Sequence, residues 1–318
     1  MKKYKKPPAW RGILYYLRCL IRHRPNWLNV EVTKRCNARC NFCKYWEEKG
    51  PPELEDYTDI VKQFRPVVLS LSGGEPLIRR NLHEIVRKMR PYAHYVAIVT
   101  NGTLLTEKRA TELFDAGLNQ LSVSLDFLGE THDEMRGVPG LYERISKVVP
   151  DLAVKGYNVA FNTVIMDTNL DQIIPLAEAA AKWGVGIAFS TYCHLKNDNH
   201  DHKITEDTYL KVSSIVKELK RLKRKNKNIK NSDYYLDKIP EFVMNGGIPD
   251  CKAGKRWVQV TPDGFLQPCS ELPRYCHYSE YTKTNIPQID CTKCWFACRG
   301  EAEANPLHPR RIVELAKS

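Results

Sequence analysis

Three thiols fall on one short stretch, Cys36-x3-Cys40-x2-Cys43. Three soft thiolates on a single loop can wrap an iron–sulfur cubane, giving three of its four irons a protein ligand. A structural zinc ion wants four closed ligands, and no histidine or fourth cysteine lies nearby. One iron is therefore left open, and an open iron is a position for reductive chemistry on a small molecule.

Further polar residues recur at regular intervals. Ser72-Gly73-Gly74-Glu75-Pro76-Leu77 joins two glycines, which let the backbone come close to a ligand, to Glu75, a carboxylate able to accept from an ammonium group. Thr100-Asn101-Gly102-Thr103, Ser124 with Asp126, Arg136 in His132-x3-Arg136-Gly137, and Asn162 before Val164-Ile165-Met166 follow. Each has a plain alternative: a strand-ending turn, a turn-forming Asp126, a surface Arg136, a satisfied core amide at Asn162. A second thiol group is Cys251-x12-Gly264-x4-Cys269 with Cys291-x2-Cys294-x3-Cys298. Four of these five thiolates can fully ligate one [4Fe–4S] cluster, and a zinc ribbon is the competing reading. Cys193 is a candidate hydrogen-atom donor or a buried structural thiol, and Cys19 is expected to pack in a helix.

Cys-x3-Cys-x-aromatic-Cys, with Phe42 before the last thiol, resembles the signature of the radical S-adenosylmethionine (SAM) superfamily. The resemblance implies that Cys36, Cys40 and Cys43 hold a [4Fe–4S] cluster whose open iron chelates the methionine amino and carboxylate groups of SAM. It also implies that Gly73, Gly74 and Glu75 hold the amino group, that Ser124, Asp126 and Asn162 meet the ribose, and that Arg136 pairs the carboxylate. Asn101 lies in a turn similar to the family's Thr-Asn-Gly. The C-terminal thiols resemble the auxiliary-cluster pattern of SPASM and Twitch enzymes. Five well-placed cysteines plus Cys276 fall short of the seven of a full SPASM domain, so one auxiliary [4Fe–4S] cluster is expected, with Cys298 as the candidate spare. The implied activity is reductive cleavage of SAM to a 5′-deoxyadenosyl radical that abstracts a substrate hydrogen, with flavodoxin or ferredoxin as electron donor.

The elements that must hold these residues show in the hydropathy pattern. Stretches 27–33, 67–71, 95–99, 121–125, 158–164 and 185–190 read as strands, and 54–64, 81–90, 106–116, 140–155 and 170–183 as helices between them. Such alternation demands parallel strands joined by right-handed crossovers. Ser122, Ser124 and Asp126 share one face of their strand, opposite Leu121, Val123 and Leu125. An open sheet covered on both faces would be apolar on both, whereas a wide barrel around a polar ligand shows this alternation. The expected fold is α/β, a partial (β/α)6 TIM-like barrel with a small cysteine-rich C-terminal domain. The expected divisions are a basic extension (1–26), the barrel (27–200), a basic helical linker with a loop over 226–238 (201–245) and the auxiliary domain (246–318). Within the last, 256–261 and 265–267 read as a hairpin.

The 318 residues are 42% hydrophobic and 27% charged, ordinary for a globular protein. The net charge of +12 is local: residues 1–24 carry +8 without an acid, and residues 217–230 carry +7. Subtracting these from +12 leaves the remainder at −3, which argues against a nucleic-acid partner. Eleven cysteines without a signal sequence point to a reducing cytoplasm. The apolar run Ile13 to Ile21 is too short to span a bilayer. Ile13, Leu14, Leu17, Leu20 and Ile21 form a stripe among basic residues, suited either to peripheral membrane contact through residues 8–24 or to docking under the barrel. Only 26 residues precede the first strand, fewer than a winged-helix peptide-docking domain needs. A small-molecule or membrane-associated substrate is thus expected ahead of a peptide or protein substrate, and a non-catalytic zinc or iron–sulfur protein is the rival of another class.

Overall fold

The computed structural model describes residues 6–195 and 198–317, so Lys2, Lys3 and Lys5 of the basic leader lie outside it. After α1 (Ala9–Ile21), all six expected strands appear: β1 (Trp27–Thr33), β2 (Val68–Gly73), β3 (Tyr95–Thr100), β4 (Gln120–Ser124), β5 (Val159–Ile165) and β6 (Gly186–Thr191). Helices α2 (Thr58–Phe64), α3 (Leu82–Met89), α4 (Glu107–Asp115), α6 (Leu141–Val154) and α7 (Ile173–Lys182) alternate with them, and the short α5 (Glu130–Arg136) is an addition after β4. The chain continues through α8 (Tyr209–Asn226), α9 (Asp233–Asn245), β7 (Trp257–Val260), β8 (Phe265–Gln267), β9 (Cys276–His277), α10 (Ala297–Glu303) and α11 (Pro309–Lys317).

The sheet runs β6-β5-β4-β3-β2-β1-β7-β8-β9, parallel from β6 to β7 and antiparallel beyond, and it is not closed. The outer face of the strands (Leu28, Val30, Leu69, Leu71, Val96, Ile98, Leu121, Val123, Phe161, Ile187) joins the helices in one continuous core. The inner face is polar or small. In register across it lie Gln259, Asn29, Ser70 and Ala97, then Glu31 with Ser72, and Ser124 with Asn162. The lumen is thus lined with hydrogen-bonding groups, as the alternation in β4 predicts for a partial barrel.

Two features differ from expectation. The stretch 226–238 is not all loop, because Ser232 caps α9 by accepting from the Tyr235 N–H at 3.0 Å, and Tyr235, Leu236, Ile239, Phe242 and Val243 bury a helical stripe. The 256–267 hairpin forms as expected, yet its first strand pairs in parallel with β1 and extends the barrel wall. Asn29 Nδ2 donates to Gln259 Oε1 at 2.6 Å across that seam inside the lumen.

Candidate active site

The thiol loop leaves the C-terminal end of β1 and is clamped from two sides. On one side the Gly74 N–H donates to the Thr33 carbonyl at 2.9 Å, and the Glu75 N–H to the Arg35 carbonyl at 2.8 Å. A Cβ at Gly73 would overlap the Thr33 oxygen and one at Gly74 the Arg35 oxygen, so only glycines let β2 end this close to the loop. On the other side the Arg39 and Asn41 N–H groups donate to the carbonyls of Arg136 and Met135 at the end of α5, both at 3.1 Å. Asn101, at the end of β3, donates from Nδ2 to Asn37 Oδ1 at 3.0 Å and approaches Cys36 Sγ at 3.9 Å.

So held, Cys36, Cys40 and Cys43 pack with Ala38, Phe42, Phe127, Met166 and Tyr192, an apolar wall that keeps water from the sulfurs. Burial pushes all three thiols up, Cys43 to about 11, while the nearby Arg136 guanidinium pulls each of them down. Arg136 turns Nη1 toward Cys40 Sγ at 3.9 Å and donates Nε and Nη2 to Asp126 Oδ2 at 2.9 and 2.5 Å. Burial opposes its charge, but Asp126 and Cys40 outweigh burial and keep it protonated. The Arg136 guanidinium also lies over the Phe42 ring, 5.0 Å from its centroid. A fixed cation in this wall offsets the negative charge that three thiolates would bring, so the residues present fit a cluster.

Glu75 is fully buried. Its Oε1 accepts from Leu77 N and Thr100 Oγ1 at 2.8 and 2.7 Å, and its Oε2 from Asn101 N at 2.6 Å. The bonds from Thr100 and Asn101 tie the end of β2 to the end of β3, and the bond from Leu77 caps the turn that follows Glu75. Burial raises its pKa against those bonds. Asp126 likewise spends Oδ1 on the Val164 N–H at 2.9 Å. Ser124 and Asn162 stand opposite each other on the lumen face of β4 and β5.

Four further residues, Glu31, Lys34, Tyr45 and Glu271, carry no motif that sequence analysis could single out. Glu31 pairs with Lys34 at 2.5 Å and accepts from Tyr45 OH at 2.9 Å, and burial followed by Glu31 lifts the Tyr45 pKa well above its usual value. Glu271 lies within electrostatic reach of Tyr45, Cys193, Cys269 and Cys298. The available signal is the polar face of β1, Asn29-x-Glu31-x-Thr33.

The second thiol group forms beside β7. Cys251, Cys269 and Cys298 pack with Ala253, Trp257 and Ala302, and Cys294 and Cys291 lie within electrostatic reach of Cys251. Burial raises Cys269 and Cys298 to about 12. Fully buried Arg299 ties their loops together, donating Nη1 to the Cys294 carbonyl at 2.8 Å and Nη2 to the Ile248 and Pro249 carbonyls at 2.9 and 3.0 Å. Cys276 sits apart, in the main core. Tyr192 packs on the first thiol group, whereas Cys193 donates to the Lys293 carbonyl at 3.8 Å, close to Cys291 and Cys294. Segment 192–193 thus touches both groups. Among the described residues, no three Cys, His, Asp or Glu side chains converge as one metal ion would require. A cubane has separate corners and asks for no such convergence.

Residues 30–180 match the family model described as the radical SAM superfamily. The chain is 28% identical over 273 residues to an AdoMet-dependent heme synthase of Methanosarcina barkeri, covering 78% of each protein. It is 26% identical over 288 residues to an AdoMet-dependent heme synthase of Oleidesulfovibrio alaskensis, covering 81% of this chain and 72% of that one. Among solved structures, Streptococcus suis SuiB bound to S-adenosylmethionine superposes with a TM-score of 0.67 at 15% identity, over 86% of this chain and 69% of that one, a likeness of fold.

Proposed function

We propose that this chain is a radical SAM enzyme, a reading supported by the match of residues 30–180 to that superfamily's model, and that it oxidises a small organic substrate with the help of an auxiliary [4Fe–4S] cluster bound by four of Cys251, Cys269, Cys291, Cys294 and Cys298. The observation that carries this reading is the gathering of Cys36, Cys40, Cys43, Asn101, Asp126 and Arg136 at one end of a polar lumen that has a second thiol group beside its added strand. The first cluster, when bound, supplies the electron that splits SAM and so generates the radical that takes the substrate hydrogen.

The chain's own residues do the positioning. The Gly73–Glu75 turn and the end of α5 fix the thiol loop. Phe42, Phe127, Met166 and Tyr192 exclude water, and Arg136 neutralises charge beside the sulfurs. Ser124 and Asn162 offer hydrogen bonds to ribose hydroxyls. Glu31, with Lys34 and Tyr45, and Glu271 are the titratable groups near enough to take the proton that leaves an oxidised substrate. The name of the curated relatives, heme synthase, makes a precursor of heme the first substrate to assay. A peptide substrate rests on likeness to SuiB, which at this identity concerns fold alone.

Anaerobic reconstitution tests the reading. About eight irons per chain and 5′-deoxyadenosine release on reduction are expected, from two cubanes of four irons each. Cys40→Ala is expected to remove about half of the iron and all SAM cleavage. No cleavage by a fully loaded wild type would sink the function, and cleavage by the Cys40→Ala protein would sink the role of the triad.

A further inference from the structure

We propose that α1 seats the underside of the barrel on an anionic membrane surface. The helix docks on the barrel through one narrow face. Tyr16 and Cys19 are its buried residues; Tyr16 OH accepts from Arg256 Nη1 at 3.2 Å, Cys19 Sγ donates to the Arg65 carbonyl at 3.7 Å, and the Tyr15 ring lies 5.8 Å from that of His94. Arg65, His94 and Arg256 all precede strands, β2, β3 and β7, so α1 crosses the N-terminal ends of the parallel strands. The candidate active site is at their C-terminal ends.

The opposite face of α1 is aliphatic and uncovered. Trp10, Leu14 and Ile21 are 63%, 56% and 78% exposed, and Ile13, Leu17 and Leu20 complete the same stripe at helical spacing. From Lys6 to Arg24 the segment has no acid, while Arg11 and Arg22 are exposed at the edges of the stripe. Lys230, from the second basic segment, lies within electrostatic reach of Lys6.

The charge selects the occupant. A second copy seated on this face would bring the same basic patch against itself, since a two-fold interface is self-complementary, and like charges would oppose it. An anionic lipid surface complements the cations and takes the aliphatic stripe into its headgroup boundary. At 13 residues the helix lies on the bilayer and does not cross it, and among the described residues no helix is long and apolar enough to do so. Because the site opens at the other end of the strands, the contact anchors the enzyme without feeding lipid into its lumen.

The test uses the full-length, cluster-loaded protein sedimented with phosphatidylcholine vesicles, with and without phosphatidylglycerol, at ~0.1 M salt. Co-sedimentation only with the anionic vesicles is expected, and Leu14→Glu/Ile21→Glu should lower it roughly tenfold or more while leaving the unfolding midpoint and SAM cleavage unchanged. A wild type that stays in the supernatant overturns the proposal, as does a double variant that binds equally well. A dimer in sedimentation velocity that this double variant converts to monomer, without vesicle binding, assigns the face to a second copy and also overturns it. Cleavage of SAM accelerated severalfold by vesicles would overturn the anchoring geometry.

Discussion

Arg136 joins the Asp126 carboxylate to the thiol loop. Its pair with Asp126 is buried, and such pairs add little net stability because desolvation offsets attraction. Their value here is orientation: Asp126 fixes the fork so that Nη1 points at Cys40. His132, on the same turn of α5, accepts the Asp126 N–H at Nδ1 (3.2 Å), which requires the neutral ring. Burial, then Arg136, lowers its pKa from 6.5 to about 4. The folded pKa lies below the unfolded one, so the stabilisation is complete above pH 6.5 and is lost as pH falls from 6.5 to 4. Over that window His132 accounts for about 3 kcal/mol. Urea unfolding of the metal-free chain across that window should show this slope, and His132→Asn should flatten it; an unchanged slope in the variant assigns the acid sensitivity elsewhere.

Elements meet at the thiol loop. Neither β1 nor the loop defines the geometry of Cys36, Cys40 and Cys43; the end of β2 and the end of α5 grip the loop through four backbone hydrogen bonds. Gly74 is a tight part of that grip, because the Lys34 and Arg35 backbone oxygens fill the volume a side chain would need. Gly74→Ala must push the loop away at a cost of about 1–3 kcal/mol. It should lose the N-terminal cluster while keeping the other, leaving about four irons per chain and no SAM cleavage. Full iron content and activity in Gly74→Ala would show that the loop tolerates displacement.

On the scale of the whole molecule, the C-terminal region is continuous with the barrel. β7 extends the sheet beside β1, Thr191 Oγ1 at the end of β6 donates to the Trp295 carbonyl at 2.7 Å, and Tyr235 of α9 stacks on Trp295 with centroids 5.7 Å apart. Arg299 at the centre of this packing bonds three carbonyls and Glu303. Arg299→Met leaves those carbonyls unpaired and should cost about 3–5 kcal/mol. The expected protein keeps the first cluster and SAM cleavage but binds about four irons rather than about eight, read by iron analysis and by the loss of one electron-paramagnetic signal on reduction. Retention of all the iron would mean that the second thiol group does not depend on Arg299.

The sequence by itself determined the thiol triad, the six strands and their polar inner face, because these depend on local spacing and on a period-two pattern that a strand must obey. It also carried the amphipathic stripe of α1. Which face of that helix docks was beyond it, since Tyr15, Tyr16 and Cys19 are no more apolar than the stripe left exposed. The jobs of Glu75 and Asp126 were equally hidden. A carboxylate's type says that it accepts hydrogen bonds, and only tertiary contact decides that Leu77, Thr100, Asn101, Val164 and Arg136 are the donors. Glu31 and Glu271 lack any motif and acquire meaning only because the fold brings both, from distant parts of the chain, within reach of Tyr45. The parallel pairing of β7 with β1 belongs to the same class, because a short strand carries its hydrophobic pattern but not the address of its partner.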